Sequence, residues 1–595
     1  MAHRVDVTTH MALEIVEEPE LERCLCSAQI GVPDVVLLGL PAQVGNWDSE
    51  KIRRVAGRVA DLAERLPDGV ELVIYGDLRV LPRVHAALPP FTHYHLAIAV
   101  RCAVFQSQSA LLPHEHKGLI FYGKNAARFS HTRVRIAYTY CPACGKTTKD
   151  YGGRKHLYDA YGTLMSDVWK DFQVSPDDPL PHAVLQRVRD LLSTDGRELM
   201  IAGEIGETEA NVRGNTPDSR PAPQQAARNP VTPFPVNELP NGTLAQGDVL
   251  DVLSTLPGNS VDLAFADPPY NLSKQYRNYT DNVDVEEYFS WCDRWLGEYL
   301  RVLKPGRILA VLNIPLWALR HALYLDRHAE MCNWVVWEAM SMPVRLIMPS
   351  HYAMLLYRKP GAATAAERRL LYTEPTPPDV SADIQPLDFD YCRRASCVSR
   401  RSAQASTRPL TDLWTDIDRL KHNAFRWDHP CQLPPRLMRR LIACTTNPGE
   451  LVLDAFNGIG TTTLAAQQIG RRFIGIEVSR TYHETALERH QLLANGEDPF
   501  AKRKITPEAK NNRVPRQGLE KYAVAKKTLQ LAVKNLAEEL GRMPTKEDVA
   551  DHLPYPVSYF EQYFKSWSEV LAAARTTGMS ELPPGADEEQ VPLRL

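Results

Sequence analysis

Short apolar runs, each ended by turn residues, recur along the C-terminal half of this 595-residue chain. The clearest are residues 261–266, 308–311, 451–453 and 472–476. Such runs are typical of strands that are buried on both faces of a largely parallel sheet. Before the last run, Thr461 opens a segment of helical character, and threonine is favourable at a helix start. The pattern predicts an α/β domain.

Composition and charge narrow the class of protein without identifying it. Hydrophobic residues make up 44% and charged residues 24%, as in ordinary globular proteins, and the length predicts several domains. The net charge of −3 means that any nucleic-acid surface must be a local basic patch. No apolar run reaches membrane-spanning length, and the polar start of the chain does not resemble a signal peptide. We therefore expect a cytoplasmic, nucleoid-associated protein with no membrane partner.

A unit of strand, glycine turn, helix and strand occupies residues 451–477. The turn Phe456-Asn457-Gly458-Ile459-Gly460 follows the first strand, and the second strand ends at Glu477. Glycines allow the backbone to approach a ligand closely, and an acid at this place can accept both ribose hydroxyls. Any β-α-β turn is the alternative, but the terminal acid favours a nucleotide-like cofactor.

The second motif, Asp267-Pro268-Pro269-Tyr270, closes the apolar run 261–266, at the strand end where α/β sheets place their ligands. An aromatic amine is a weak nucleophile because its lone pair is delocalised. A carboxylate and the Pro268 carbonyl can each accept one N–H bond, which favours a tetrahedral nitrogen. Two prolines stiffen the loop, and Tyr270 offers a face for stacking a flipped base. A plain strand end with a Pro-Pro turn is the alternative.

Residues 245–495 resemble the beta group of DNA amino-methyltransferases, in which the catalytic motif precedes the cofactor motif. The resemblance implies a Rossmann-like fold, S-adenosyl-L-methionine as cofactor, double-stranded DNA as partner and target recognition by about 360–410. It implies that Asp267, Pro268, Pro269 and Tyr270 are catalytic. It implies cofactor contacts from Asp248, Asp267, His429, Asp454, Phe456, Asn457, Gly458, Gly460, Thr461 and Glu477. One departure is Gln432-Leu433-Pro434, where many relatives carry lysine in the middle position.

The first motif position favours one target base within this family. Asp267 is more typical of adenine N6 enzymes, whereas serine there is more typical of cytosine N4 enzymes. Three alternatives stay open: cytosine N4 methylation, an RNA substrate, and a non-catalytic DNA-binding subunit that keeps the fold. The sequence contains no nuclease motif, so a restriction or phage-defence partner in a restriction-modification system would be a separate chain.

The N-terminal residues 1–213 parallel the catalytic domain, residues 236–500, in order and spacing. Residues 33–42 correspond to 261–270, and Asp167-Val168-Trp169 corresponds to Asp412-Leu413-Trp414. Gly39, Leu40 and Ala42 stand where Asp267, Pro268 and Tyr270 stand, and Ala202 falls near Asp454. We predict a duplicated fold whose first copy is catalytically degenerate and replaces a partner subunit in an internal pseudo-dimer. An unrelated α/β domain is the alternative.

Four cysteines occupy corresponding places in the two halves. Cys141 and Cys144 form a C-x2-C pair, and Cys392 and Cys397 form a C-x4-C pair. Together they could hold one structural zinc ion that joins the halves. Ordinary thiols, or two separate partial sites, are the alternatives.

A linker and a basic tail complete the chain. Residues 214–235 are rich in Pro, Ala, Gln and Asn and predict a linker. Residues 501–595 begin with a basic stretch and continue as helices, with Thr545 as an expected N-cap. This small helical domain resembles a repeat that accompanies some homing endonucleases, which implies DNA binding. A helical dimerisation or capping domain is the alternative. Four arginines near the second cysteine pair are candidates for phosphate contacts: Arg393, Arg394, Arg400 and Arg401.

Overall fold

The computed structural model describes residues 12–16, 33–41, 49–107, 109–124, 134–148, 159–160, 162–193, 199–205, 234–271, 283–339, 347, 350–361, 392, 397, 408–420, 427, 429, 431–501 and 524–574. Nearly all of the linker 214–235, most of the region 360–410 with its four arginines, and the basic stretch 502–523 lie outside the described residues. The chain forms two large sheets with flanking helices, followed by a group of short helices. The predicted α/β class and helical C-terminal region are confirmed.

The N-terminal half, residues 12–205, contains one large sheet. Its strands are β1 (Ala12–Val16), β2 (Val35–Gly39), β3 (Glu71–Gly76), β4 (Thr92–Phe105), β5 (His114–Lys124), β8 (Val168–Val174) and β9 (Leu199–Glu204). They are arranged in the order β1-β9-β2-β3-β5-β4-β8. A separate hairpin pairs β6 (Arg135–Ile136) with β7 (Thr163–Leu164). The helices are α1 (Ser49–Arg65), α2 (Leu81–Ala87) and α3 (His182–Leu192).

The C-terminal half, residues 234–501, contains the second sheet. Its strands are β10 (Val236–Leu239), β11 (Gly242–Gln246), β12 (Val261–Ala266), β13 (Leu303–Asn313), β14 (Glu330–Glu338), β15 (His351–Arg358), β16 (Leu413–Trp414), β17 (Leu451–Asp454) and β18 (Arg472–Glu477). Their order is β10-β11-β18-β17-β12-β13-β15-β14-β16. The helices are α4 (Val249–Thr255), α5 (Val285–Val302), α6 (Pro315–Leu325), α7 (Pro435–Thr445), α8 (Thr461–Gln468) and α9 (Arg480–Ala494).

The two sheets have the same arrangement over six strands. The series β9-β2-β3-β5-β4-β8 matches β17-β12-β13-β15-β14-β16 in order and in the direction of every pair. The register also agrees, because Leu37 pairs with Ala202 as Phe265 pairs with Asp454. The residue correspondences read from the sequence agree with this register, while duplication of the domain stays a prediction.

The sheets differ at the strand beside this series. In the C-terminal half, β17, the glycine turn, helix α8 and β18 follow one another in the chain, and β18 then pairs with β17. In the N-terminal half the strand beside β9 is β1, which comes from the start of the chain. Within the described residues, no strand that follows β9 pairs with it. Among the described residues, this sheet shows no counterpart of the strand-turn-helix-strand unit that residues 451–477 form.

The halves contact each other through equivalent elements. Helix α2 packs against α6, and the two helices occupy corresponding positions after β3 and β13. Asp412 of the C-terminal half accepts hydrogen bonds from His114 Nδ1 at 2.7 Å and His116 Nδ1 at 2.9 Å. Asp167, its counterpart in the N-terminal half, accepts from Ser350 N at 2.9 Å. Each half thus contacts the other through a buried aspartate.

The C-terminal helices form a small core of their own. They are α10 (Lys526–Leu540), α11 (Lys546–His552), α12 (Val557–Glu561) and α13 (Trp567–Ala574). Leu529, Val533 and Phe560 are fully buried among them. Thr545 caps α11 in a reciprocal capping box with Asp548, so the predicted N-cap is confirmed. Among the described helices, none is both long and apolar enough to cross a membrane.

Candidate active site

The two predicted motifs lie side by side at the carboxyl edge of the C-terminal sheet. β12 and β17 are parallel neighbours, with Phe265 opposite Asp454. Asp267 follows the end of β12, and Phe456 begins the turn after β17. The Tyr299 hydroxyl joins the two strand ends, because it donates to Phe265 O and accepts from Ala455 N, both at 2.8 Å. The topology thus brings together two motifs that are about 190 residues apart.

The loop after β12 is held by hydrogen bonds to its carbonyl groups. Tyr288 donates its hydroxyl to Pro269 O at 2.7 Å, and Trp317 Nε1 donates to Tyr270 O at 2.7 Å. Asn271, at φ 52°, exchanges two hydrogen bonds of 2.8 Å with the backbone of Val283. These contacts fix the path of the loop on both sides of the proline pair.

Tyr270 covers the carboxylate that the sequence assigns to catalysis. Its hydroxyl donates to Asp267 Oδ1 at 2.7 Å, and its side chain is buried. Burial, and next the nearby Asp267 charge, raise the pKa of Tyr270 well above its usual value, so the phenol stays protonated. The ring lies 6.1 Å from that of Tyr352, which stacks on Trp337 at 5.3 Å. An aromatic wall therefore borders the carboxylate, as base stacking requires.

The glycine turn is shaped by positive φ angles and by the acid at the end of β18. Gly458 has φ 51° and Gly460 has φ 83°, which disfavour other residues. Glu477 accepts from Gly458 N and from Ser479 N, each at 2.8 Å, so both carboxylate oxygens are oriented by backbone groups. His429 packs over the turn: its Nε2 would lie 3.2 Å from a Cβ atom at Gly458.

The remaining predicted cofactor residues divide into two groups. Asp248 is exposed at the same sheet edge and caps α4, accepting from Leu250 N at 2.8 Å. Asn457 and Thr461 are buried, and the Asn457 side chain accepts from Thr463 Oγ1 at 3.1 Å. Direct cofactor contacts by these residues stay predictions, since their described contacts are within the protein.

Asp454 and Glu477, the acids that end the two strands beside the glycine turn, have raised pKa values. Burial raises the pKa of Asp454 to about 7, and the charges of Asp267 and Glu477 act in the same direction. Hydrogen bonds from Thr462 and Phe456 N oppose this effect only in part. Burial also raises the pKa of Glu477 to about 7. Clustered acids with displaced pKa values are typical of ligand sites.

Several residues of this site were missed at the sequence level. Trp291 and Trp295 of α5 pack their rings 5.8 and 5.2 Å from that of Phe456. Tyr288 and Tyr299 come from the same helix, and Trp317 comes from α6. The sequence does contain a signal for the residues of α5, because their aromatic side chains are spaced by three, four and seven residues. This spacing places the rings along one face of the helix.

The four cysteines predicted as metal ligands form one cluster, which is separate from the two motifs of the candidate active site. The Sγ atoms of Cys141, Cys144, Cys392 and Cys397 all lie within 4.8 Å of one another. The remaining described cysteines do not join this cluster.

Comparison with known proteins agrees with the motifs. Residues 261–488 match the family model described as DNA methylase, and residues 526–574 match the homing endonuclease associated repeat. Residues 261–488 therefore form a domain of the DNA methylase family, which confirms the resemblance seen in the sequence.

Curated relatives cover this part of the chain. Type II methyltransferase M.BamHI of Bacillus amyloliquefaciens is 32% identical over 240 residues, which are 40% of this chain and 54% of that protein. Type II methyltransferase M.HpaI of Haemophilus parainfluenzae is 28% identical, over 43% of this chain and 76% of that protein. DNA adenine methyltransferase YhdJ of Escherichia coli strain K12 is 27% identical, over 42% of this chain and 84% of that protein. The chain thus spans about half the length of the first of these relatives.

Solved structures of similar chains include a putative DNA modification methylase of Thermus thermophilus complexed with S-adenosyl-L-methionine. It is 25% identical, covers 42% of this chain and 92% of its own, and has a TM-score of 0.29. The PvuII DNA methyltransferase, described as cytosine-N4-specific, is 17% identical over 44% of this chain and 94% of its own, with a TM-score of 0.29.

Proposed function

We propose that this chain is an S-adenosyl-L-methionine-dependent DNA methyltransferase that modifies the exocyclic amine of a flipped base. One observation carries the proposal: Asp267 and the glycine turn of residues 456–460 lie on neighbouring strands at one sheet edge. The names of the curated relatives, all DNA or type II methyltransferases, support the same activity.

Each half of the site has a distinct role in this proposal. Glu477 binds the ribose of the cofactor, and Asp454 and Phe456 border its methionine portion. S-adenosyl-L-methionine supplies an electrophilic methyl group on a sulfonium sulfur. Asp267 and the Pro268 carbonyl accept the two N–H bonds of the base amine, so that its lone pair points towards the methyl carbon. Catalysis then rests on alignment and charge stabilisation.

The bonding changes are those of a simple substitution. With S-adenosyl-L-methionine bound, the amine nitrogen would form a bond to the methyl carbon as the sulfur–carbon bond breaks, and the electron pair of that bond would stay on sulfur. The amine proton leaves to water or to Asp267. Because Tyr270 donates to Asp267 Oδ1, an entering amine must share that oxygen with the phenol or use the other carboxylate oxygen.

We propose adenine N6 as the target. Asp267 at the first motif position supports this choice, and one relative is named an adenine methyltransferase. Cytosine N4 is the second candidate, because both bases present a planar amine to the same acceptors. We further propose that residues 360–410 recognise double-stranded DNA and that the C-terminal helices also contact DNA. The proposed location of the protein is the cytoplasm.

We also propose that the N-terminal half is a catalytically inactive copy which takes the place of a partner subunit. The shared strand order and the reciprocal contacts of Asp412 and Asp167 support this internal pseudo-dimer. Zinc on the four clustered cysteines is part of the same proposal. Restriction or phage-defence activity would need a separate chain.

Modified-base sequencing of plasmid DNA from a host that expresses the chain tests the activity. The expected result is N6-methyladenine at one recurring motif, lost in Asp267→Ala and retained in the exposed-residue control Asp251→Ala. N4-methylcytosine would overturn the base assignment alone. Unmodified DNA from the unaltered chain, together with retained DNA binding, would favour a non-catalytic DNA-binding subunit. A preference for RNA in a competition assay would overturn the DNA assignment.

A further inference from the structure

Two cysteines from each half meet in one cluster between the halves. Cys141 and Cys144 follow β6 in the N-terminal half, whereas Cys392 and Cys397 belong to the region 360–410 of the C-terminal half. The two pairs are far apart in the chain, since Cys144 and Cys392 are separated by 248 residues. Unrelated core cysteines from such distant parts of the chain are not expected to form one cluster.

The spacing of the sulfur atoms fits a tetrahedral metal centre. Four thiolates at about 2.3 Å from zinc lie about 3.8 Å from one another. Cys144 Sγ and Cys392 Sγ are 3.8 Å apart, and all four Sγ atoms lie within 4.8 Å. A disulfide needs about 2.05 Å, so these sulfurs are not paired covalently. The cluster therefore has the size of a four-thiolate zinc site.

The backbone around the first pair is folded as a tight turn. Gly145 N and Cys144 N both donate to Cys141 O, at 2.8 and 3.3 Å. Cys141 N donates to Lys146 O at 2.8 Å, and Gly145 has φ 64°. This turn brings the two sulfurs of a C-x2-C pair to one side of the chain, as metal binding requires.

The surroundings of the cluster distinguish it from the other buried cysteines. Cys102 and Cys332 are each packed in large cores of aliphatic and aromatic side chains. In contrast, the apolar cluster that contains Cys141, Cys392 and Cys397 has only Cys144 as a further member. Among the described residues, no other buried or half-buried hydrophobic side chain belongs to this cluster, which is the arrangement of ligands and not of a core.

We propose that these four cysteines bind one zinc ion which anchors the recognition segment of the catalytic half on the N-terminal half. The recognition role of residues 360–410 rests on the proposed function. The inactive half then has a task that needs neither base nor cofactor. It supplies two of the four thiolates, so the metal ties the segment proposed to select the DNA sequence to the N-terminal half.

Metal analysis of the full-length chain, purified without chelators and supplied with zinc, tests the site. We expect one zinc per chain, with four sulfur neighbours at about 2.3 Å by X-ray absorption. The double variant Cys392→Ser and Cys397→Ser should lose the metal. The matched control Cys102→Ala and Cys332→Ala, which alters one buried cysteine in each half, should keep it. Zinc retained by the first variant, or a zinc-free unaltered chain, would overturn the site.

Cofactor and DNA binding separate this inference from the proposed function. The zinc-free variant should still bind S-adenosyl-L-methionine but should lose discrimination between its recognition sequence and other DNA by about tenfold or more. Unchanged discrimination without zinc would overturn the anchoring role while leaving the enzyme assignment intact. Bound zinc in a chain that methylates no DNA would overturn the function and leave the metal site standing. Circular dichroism would verify that each variant is folded.

Discussion

The carboxyl edges of the two sheets carry different side chains on the same strand framework. In the C-terminal half, Asp267 directly follows β12 and Asp454 ends β17, and both are acids of the candidate site. At the matching places, β2 ends in Gly39 and β9 carries Ala202. The apolar strands that hold each sheet together are kept in both halves. Within the shared six-strand series, these substitutions lie at strand ends, where side chains meet ligands in α/β folds.

The N-terminal half places His114, His116 and Glu115 at the interface between the halves, where they meet Asp412 and its neighbours. Asp412 is fully buried, and its pKa lies far below the usual range. Burial opposes this shift, but the charges and hydrogen bonds of His116 and His114 outweigh it. Arg408 and Thr411 add hydrogen bonds to Glu115, which lies beside these histidines. The contact between the halves is therefore polar and buried, and it depends on a few charged side chains.

The largest expected effect on stability is at this contact. Asp412→Ala leaves two buried imidazoles without their carboxylate, which should lower the free energy of unfolding by roughly 3–5 kcal/mol. Asp167→Ala should cost less, because its carboxylate meets Ser350 and one imidazole, that of His351. Urea titrations of both variants beside Asp251→Ala would measure the difference. Equal midpoints for all three proteins would refute the dependence of the halves on these acids.

Loop positioning gives an intermediate effect that only the C-terminal half should show. Tyr288→Phe and Trp317→Phe each remove one hydrogen bond from the catalytic loop, and we expect kcat to fall about tenfold through misalignment. Affinity for S-adenosyl-L-methionine should stay unchanged. Tyr324→Phe, whose ring packs on His328, is a matched control. If cofactor affinity falls together with kcat, the two residues act on the fold and not on the loop.

The smallest effect concerns the pH dependence of stability. The pKa of Asp454 is about 7 in the fold and near 4 when unfolded, so the folded state binds its proton more tightly. Its contribution is therefore fully present below pH 4 and is lost as pH rises to 7. The difference in Tm between Asp454→Asn and the unaltered chain should therefore grow in favour of the variant, by roughly 1–2 °C, when the pH is raised from 5 to 8. A Tm difference that is the same at both pH values would contradict the raised pKa.

The sequence predicted the features that follow from periodicity and short motifs. The apolar runs located β12, β17 and β18, and the correspondence of residues 33–42 with 261–270 agrees with the sheet register. Tyr288 and Trp317 could not be assigned, because their hydrogen bonds join elements that only the tertiary fold brings together. The place of β1 beside β9 was missed for the same reason, since strand neighbours from distant parts of the chain leave no local pattern.

The stoichiometry of cofactor binding tests the central comparison most directly. Calorimetric titration of the full-length chain with S-adenosyl-L-methionine should give one site, abolished by Glu477→Ala and unaffected by Glu204→Ala at the end of β9. Two sites per chain, or one site that survives Glu477→Ala, would contradict the account in which only the C-terminal sheet carries the chemistry.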